Sequence, residues 1–120
     1  MLLAVDIGNT NITVGIFEDN LLRATWRIST DSSRTSDEYG LQLKHLLENE
    51  SRVLGHVTDV AICSVVPPLT PTFENLCQRY FNVSPLIIDA GSKTGIQVMY
   101  DSPRDVGTDR IVDATAAIHI

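Results

Sequence analysis

The chain opens with short apolar runs separated by turn residues. Residues 2–5 are Leu-Leu-Ala-Val, Asp6 follows, and the polar turn Gly8-Asn9-Thr10-Asn11 leads into a second apolar run from Ile12 to Phe17. This pattern predicts strands over 2–7 and 11–18 joined by a tight turn. Glu18-Asp19-Asn20 marks another turn, after which Leu22, Ala24, Trp26 and Ile28 alternate with Arg23, Thr25 and Arg27. A period of two predicts a half-buried strand over 22–28. The first third therefore reads as a three-stranded antiparallel meander.

The period then changes. A polar loop covers 30–36, Thr35 and Glu38 fit a capping box, and Tyr39, Leu43, Leu46 and Leu47 follow at helical spacing to about Asn49. Residues 57–66 are mostly apolar, as in a strand covered on both faces. Pro67-Pro68 ends that strand. Thr70 is placed to cap a second helix with Pro71 in its first turn, and Phe73, Leu76, Cys77, Tyr80 and Phe81 line one face. Residues 85–88 give a fifth strand ending at Asp89, and 96–100 a short sixth. The order predicts a mixed α/β sheet with flanking helices. After a loop over 101–107, Ile111, Ala114, Thr115 and Ile118 resume helical spacing, and the chain ends inside that pattern without a terminating Gly or a basic last turn. The expectation is a fragment: a lobe over 1–104, then, over 105–120, the start of a helix leading to a second lobe outside this chain.

Composition narrows the class. A length of 120 residues suits one domain, and 43% hydrophobic with 20% charged residues is ordinary for a globular protein. Acids outnumber bases 15 to 9, for a formal charge of −6, and no Lys/Arg cluster appears, so nucleic acid is not an expected partner. No apolar run approaches the ~20 residues of a membrane span, and no basic segment precedes an apolar one at the N-terminus. A cytoplasmic protein without a membrane partner is expected. Cys63 and Cys77 read as small buried thiols, since neither belongs to a Cys-x-x-Cys pair. His45, His56 and His119 lack metal-ligand spacing. Gly91-Ser92-Lys93-Thr94 lacks the Gly-x-x-x-x-Gly-Lys order of a phosphate loop.

Two stretches carry candidate chemistry. In the first, Asp6 stands at the end of an apolar strand, Gly8 permits a tight turn and a close ligand, and Asn9, Thr10, Asn11 and Thr13 supply amides and hydroxyls. Successive backbone N–H groups in such a turn form a concave anion site, and a carboxylate beside a phosphate suits Mg²⁺. The alternative is an ordinary hairpin turn, in which Asn and Gly are the usual residues. The second stretch is Gly107-Thr108-Asp109-Arg110, where a loop enters the last helical pattern. Asp109 would be held ionised at a helix start and could accept an alcohol proton during phosphoryl transfer, with Arg110 offering a fork of donors to an anion. The alternative here is an Asp serving only the helix dipole, with Arg110 paired to Asp113.

Together, DIGNTNITVG, the order of elements, Ser64-Val65-Val66-Pro67, and Tyr100 followed by Gly107-Thr108-Asp109-Arg110 closely resemble type III pantothenate kinase, in register over the entire chain. The resemblance implies membership of the acetate and sugar kinase, heat-shock 70 and actin superfamily. It implies a ribonuclease-H-like mixed sheet, with ATP in a cleft between two such halves. It implies that Asp6, Ile7, Gly8, Asn9, Thr10, Asn11, Ile12 and Thr13 form the first phosphate motif, with Asp6 directed at Mg²⁺. It implies that Tyr100, Gly107, Thr108, Asp109 and Arg110 line the pantothenate site, with Asp109 as base. It further implies a homodimer, a K⁺ or NH4⁺ ion whose ligand lies beyond residue 120, and an inactive isolated 120-residue piece. The expected reaction is ATP-dependent conversion of pantothenate to 4′-phosphopantothenate, the first step towards coenzyme A. The alternatives are another small-molecule kinase of that superfamily, or a non-enzymatic transcription-accessory regulator on the same fold.

Overall fold

The computed structural model describes residues 1–50 and 56–89. The predicted meander is present. Strand β1 (Leu2–Ile7) pairs antiparallel with β2 (Asn11–Glu18), which pairs antiparallel with β3 (Leu21–Ser29). Asp19 and Asn20, with φ of 52° and 66°, turn the chain between β2 and β3. Positive φ at both central residues gives the twist that a two-residue hairpin needs, and Asn and Asp tolerate it best after Gly. Helix α1 (Ser36–Glu48) then leads to β4 (Asp59–Ser64), α2 (Leu69–Leu76) and β5 (Leu86–Asp89). Strands β4 and β5 run parallel to β1, and among the described residues the sheet order is β3-β2-β1-β4-β5. This is the expected mixed sheet, with β1 at its centre.

Alternation sorts the sheet into two faces. Leu3, Val5, Ile7, Ile12, Val14, Ile16, Ile28, Val60 and Ile62 meet Tyr39 and Leu43 of α1 and Leu69, Phe73 and Leu76 of α2 in the main core. Tyr39 and Phe73 bring the two helices together, their ring centroids 5.0 Å apart. Leu2, Ala4, Phe17 and Ala61 cluster on the opposite face, with Ile88 against them. Both cysteines are buried, as expected.

Four details differ from the sequence reading. The β2–β3 pairing slips between Ile16↔Ala24 and Phe17↔Leu22, so Leu22 crosses to the face of Phe17 and is 40% exposed rather than continuing the inward row. Such a bulge breaks a period that is otherwise two. Strand β4 covers 59–64, not 57–66, because Thr58 bonds back to the Met1 carbonyl and Ser64 already begins a turn with Val66. Helix α2 starts at Leu69 with Pro68 as its N-cap residue, so Thr70 lies inside the helix and does not cap it. The N–H groups of Leu69 and Thr70 donate to Val66 and Pro67 carbonyls, which removes the need for a side-chain cap. After Leu76 the helix widens into a π-helical turn (Cys77–Phe81), closed by Asn82 at φ 57°. The sixth strand over 96–100 and the final helix lie outside the described residues.

Candidate active site

The three parallel strands β1, β4 and β5 end side by side, at Ile7, Ser64 and Asp89. In open α/β sheets ligands sit outside the carboxyl ends of such strands, where the connections diverge. Here β1 leads into the antiparallel hairpin while β4 turns back through Pro67-Pro68 to α2. The Gly8–Asn11 turn therefore stands at the sheet's topological switch point.

Asp6 is 5% exposed, and its register partners are Thr13 on β2 and Cys63 on β4. Alternation puts all three on the face opposite the helices. A carboxylate at that depth costs free energy unless hydrogen bonds or a cation compensate it. Thr13 is also buried, so carboxylate and hydroxyl oxygens lie on one face at the end of the central strand. Ile7 and Ile12 are fully buried in the main core and pair with each other directly beneath the turn. They anchor the turn, and only their backbone stands at its base. Asn9, Thr10 and Asn11 are exposed.

The turn is tight. The Gly8 N–H donates to the Asn11 carbonyl at 3.0 Å, and a Cβ on Gly8 would stand 2.9 Å from that same oxygen. Glycine is thus required by close approach and not by a left-handed backbone. Its second support was not anticipated from the sequence. Thr30, the first residue after β3, donates its hydroxyl to the Gly8 carbonyl at 2.7 Å and its N–H to the Thr10 carbonyl at 3.0 Å. A register signal did exist, since a meander that pairs residue 11 with 29 must bring 30 opposite 10.

Beyond Thr30 the loop is fastened to α1. The Asp31 N–H donates to the Tyr39 hydroxyl at 2.8 Å, and that hydroxyl can donate to the Asp31 carbonyl at 3.0 Å. The Asp31 carboxylate accepts from the Ser33 hydroxyl and N–H, which with the nearby Arg34 charge hold its pKa below the usual carboxylate value. Arg34 also donates to the Gln42 side chain and lies over the Tyr39 ring, 5.7 Å from its centroid.

The hairpin fits a nucleotide-borne Mg²⁺ by donor chemistry, because that ion accepts one or two carboxylates together with phosphate oxygens and water. No cluster of three or more His, Cys, Asp or Glu side chains among the described residues would make an all-protein cage instead. Tyr100, Gly107, Thr108, Asp109 and Arg110 lie outside the described residues. The structure brings Asp6 through Thr13 into one hairpin. No described helix is long and apolar enough to cross a membrane.

Comparison with known proteins agrees with this architecture. A family model described as type III pantothenate kinase matches residues 2–120. Among solved structures, a ROK hexokinase from Thermus thermophilus superposes with a TM-score of 0.55 at 11% identity, covering 73% of this chain and 34% of that one. A Ppx/GppA family member from Aquifex aeolicus gives a TM-score of 0.46 at 13% identity, covering 74% and 35%. The chain spans about a third of the length of these solved structures. At 11% identity the likeness to the hexokinase concerns the fold alone.

Proposed function

The chain belongs to the type III pantothenate kinase family, and from that premise we propose that the protein moves the γ-phosphoryl group of ATP to the primary hydroxyl of pantothenate. The observation that carries the proposal is Asp6, buried at the end of the central strand beside a glycine-dependent turn, in a chain matched by the family over 2–120. A catalyst of phosphoryl transfer mainly has to position charge, since the transition state spreads its charge over peripheral oxygens and needs little covalent help. Backbone N–H groups of Asn9 to Asn11 in this turn are suited to donate to phosphate oxygens, and the exposed Asn9, Thr10 and Asn11 side chains to orient them. Asp6, with the Thr13 hydroxyl beside it, would hold the Mg²⁺ that accompanies ATP. When bound, that ion neutralises charge on the phosphates.

In the same proposal Asp109 takes the proton of the pantothenate hydroxyl, Arg110 orients the substrate, and Tyr100, Gly107 and Thr108 complete its site. The protein works as a cytoplasmic homodimer with a monovalent cation. The test is an assay of the full-length protein for ADP release that requires both ATP and pantothenate, with the product identified by mass. ADP release with ATP and Mg²⁺ but indifferent to pantothenate would overturn the substrate assignment. Asp109→Asn should lower kcat by roughly 10²–10⁴, the usual contribution of a general base. If single-turnover chemistry survives while pantothenate binding is abolished, Asp109 is a binding residue and not the base.

A further inference from the structure

We infer that Thr30 is a positioning residue that sets the direction of the phosphate turn, and that Tyr39 holds Thr30 in place for this task. The inference rests on reading Gly8–Asn11 as the phosphate turn, and it adds a residue outside that motif.

A trans peptide unit points its C=O and N–H in opposite directions. The Gly8 carbonyl is engaged by the Thr30 hydroxyl at 2.7 Å. The Asn9 N–H shares that peptide unit, so it is aimed away from Thr30. The side away from β3 is the side of β4 and β5, whose ends neighbour the end of β1. An oriented N–H is what an anion site uses, because a dipole fixed before binding need not be reorganised when the charge arrives. The second bond, from the Thr30 N–H to the Thr10 carbonyl, fixes the other side of the same two-residue loop. Asn9 and Thr10 are exposed, so burial does little to hold them. Hydrogen bonds to the flanking carbonyls therefore carry the orientation.

Thr30 is itself only partly buried, and its neighbours fasten it. Tyr39 is fully buried in the main core, and its hydroxyl takes the Asp31 N–H while it can return a bond to the Asp31 or Ser29 carbonyl. The backbone just after Thr30 is thus tied to one rigid side chain of α1, with the Ser29 carbonyl before it as the alternative, longer acceptor at 3.4 Å. A continuous set of contacts runs from the helix layer through Tyr39 and Thr30 to the turn.

The experiment measures calorimetric affinity for Mg·ATP, steady-state constants and melting temperature in the full-length protein and its variants. Thr30→Val keeps the shape and the backbone N–H but deletes the hydroxyl. It should weaken Mg·ATP binding about three- to tenfold, the range of one hydrogen bond, and raise KM for ATP more than KM for pantothenate. Thr30→Ser restores the hydroxyl and should bind within about twofold of wild type, a rescue that a purely packing role would not give. Tyr39→Phe keeps the ring in the core and should weaken Mg·ATP binding in the same direction as Thr30→Val. Wild-type affinity in Thr30→Val, or Thr30→Ser as weak as Thr30→Val, overturns the inference. If Thr30→Val does not fold, Thr30→Ser with wild-type affinity and Tyr39→Phe with lowered affinity support it, and wild-type affinity in Tyr39→Phe overturns the relay. A wild-type protein that binds Mg·ATP without phosphorylating pantothenate defeats only the substrate assignment, while one that does not bind Mg·ATP defeats both readings.

Discussion

Asp6 shows how one residue's place decides its chemistry. The same Asp-x-Gly-Asn string on a surface hairpin would be a turn and nothing more. Here Asp6 is 5% exposed on the central strand, where a charge needs compensation. Asp6→Asn is nearly isosteric and removes the charge. In the full-length protein it should lower kcat/KM for Mg·ATP by roughly 10²–10³, a loss typical of one electrostatic group at a reacting centre, while the melting temperature stays close to wild type. Near-normal turnover at saturating Mg²⁺ would remove Asp6 from the site. The acid was legible because an apolar run led into it. Thr30 was not, since a threonine in a polar loop has no periodicity to mark it, and only the register of β2 on β3 reveals its partner. Cys77 carries a different expectation. Burial, with the Glu74 charge adding to it, pushes its thiol up to about 12, so the thiolate is scarce in the native state at neutral pH. Cys77 should therefore resist alkylation at pH 8 until the protein unfolds. Linkage gives the sign for stability: a pKa raised on folding contributes fully below the unfolded value of 9.0 and is lost as pH climbs towards about 12. Rapid native-state labelling of Cys77 at pH 8 would contradict its burial.

At the scale of elements, local rules worked where the signal lay within a few residues. The capping box at the start of α1 formed as read: the Glu38 N–H donates to the Thr35 hydroxyl, and the Glu38 carboxylate accepts from the Thr35 N–H. Where two local devices competed, the reading failed. The turn of backbone bonds after Pro67-Pro68 satisfied the first N–H groups of α2 before Thr70 could cap them. The π-helical turn had no periodic signal at all, although Gly40 was a hint. A glycine inside a helix costs about 1 kcal/mol relative to alanine, so its presence points to a close neighbour. That neighbour is the Tyr80 ring, whose Cδ2 would stand 2.4 Å from a Cβ on Gly40. The widened turn delivers Tyr80 to this position, and its hydroxyl donates to Asp37 at 2.7 Å. Two effects oppose each other in Gly40→Ala: the helix gains up to about 1 kcal/mol in propensity, and the overpacked contact costs about 1–3 kcal/mol. The ring is held at both ends, by the turn and by Asp37, so the clash should win and the variant should be less stable in denaturant melts. A more stable Gly40→Ala would mean that the ring moves aside freely.

Over the whole molecule, the sheet ranks its strands by how deeply each is enclosed, and that ranking bears on the site. Every residue of β1 is buried, and the strand is bonded to β2 on one side and β4 on the other. Strand β3 is bonded to β2, and its first three residues are exposed; at the other end of the described order, Leu86 and Ile87 of β5 are 46% and 41% exposed. Local opening exposes first the elements with the fewest buried contacts, whereas the central strand opens only with the whole domain. Amide exchange in the full-length protein should therefore be slowest at Leu3, Val5 and Ile62, and faster by orders of magnitude at Leu21 to Arg23. The hairpin turn should exchange quickly in the free protein, because Asn9 to Asn11 are exposed, and should gain protection with Mg·ATP if its N–H groups meet phosphate. The base of the site would then be rigid and its tip adaptable, which suits a turn that must receive a ligand while its carboxylate stays fixed. Amides of β1 exchanging as fast as the first residues of β3 would contradict the central placement of Asp6. A turn unchanged by saturating Mg·ATP would contradict the phosphate role without touching the fold.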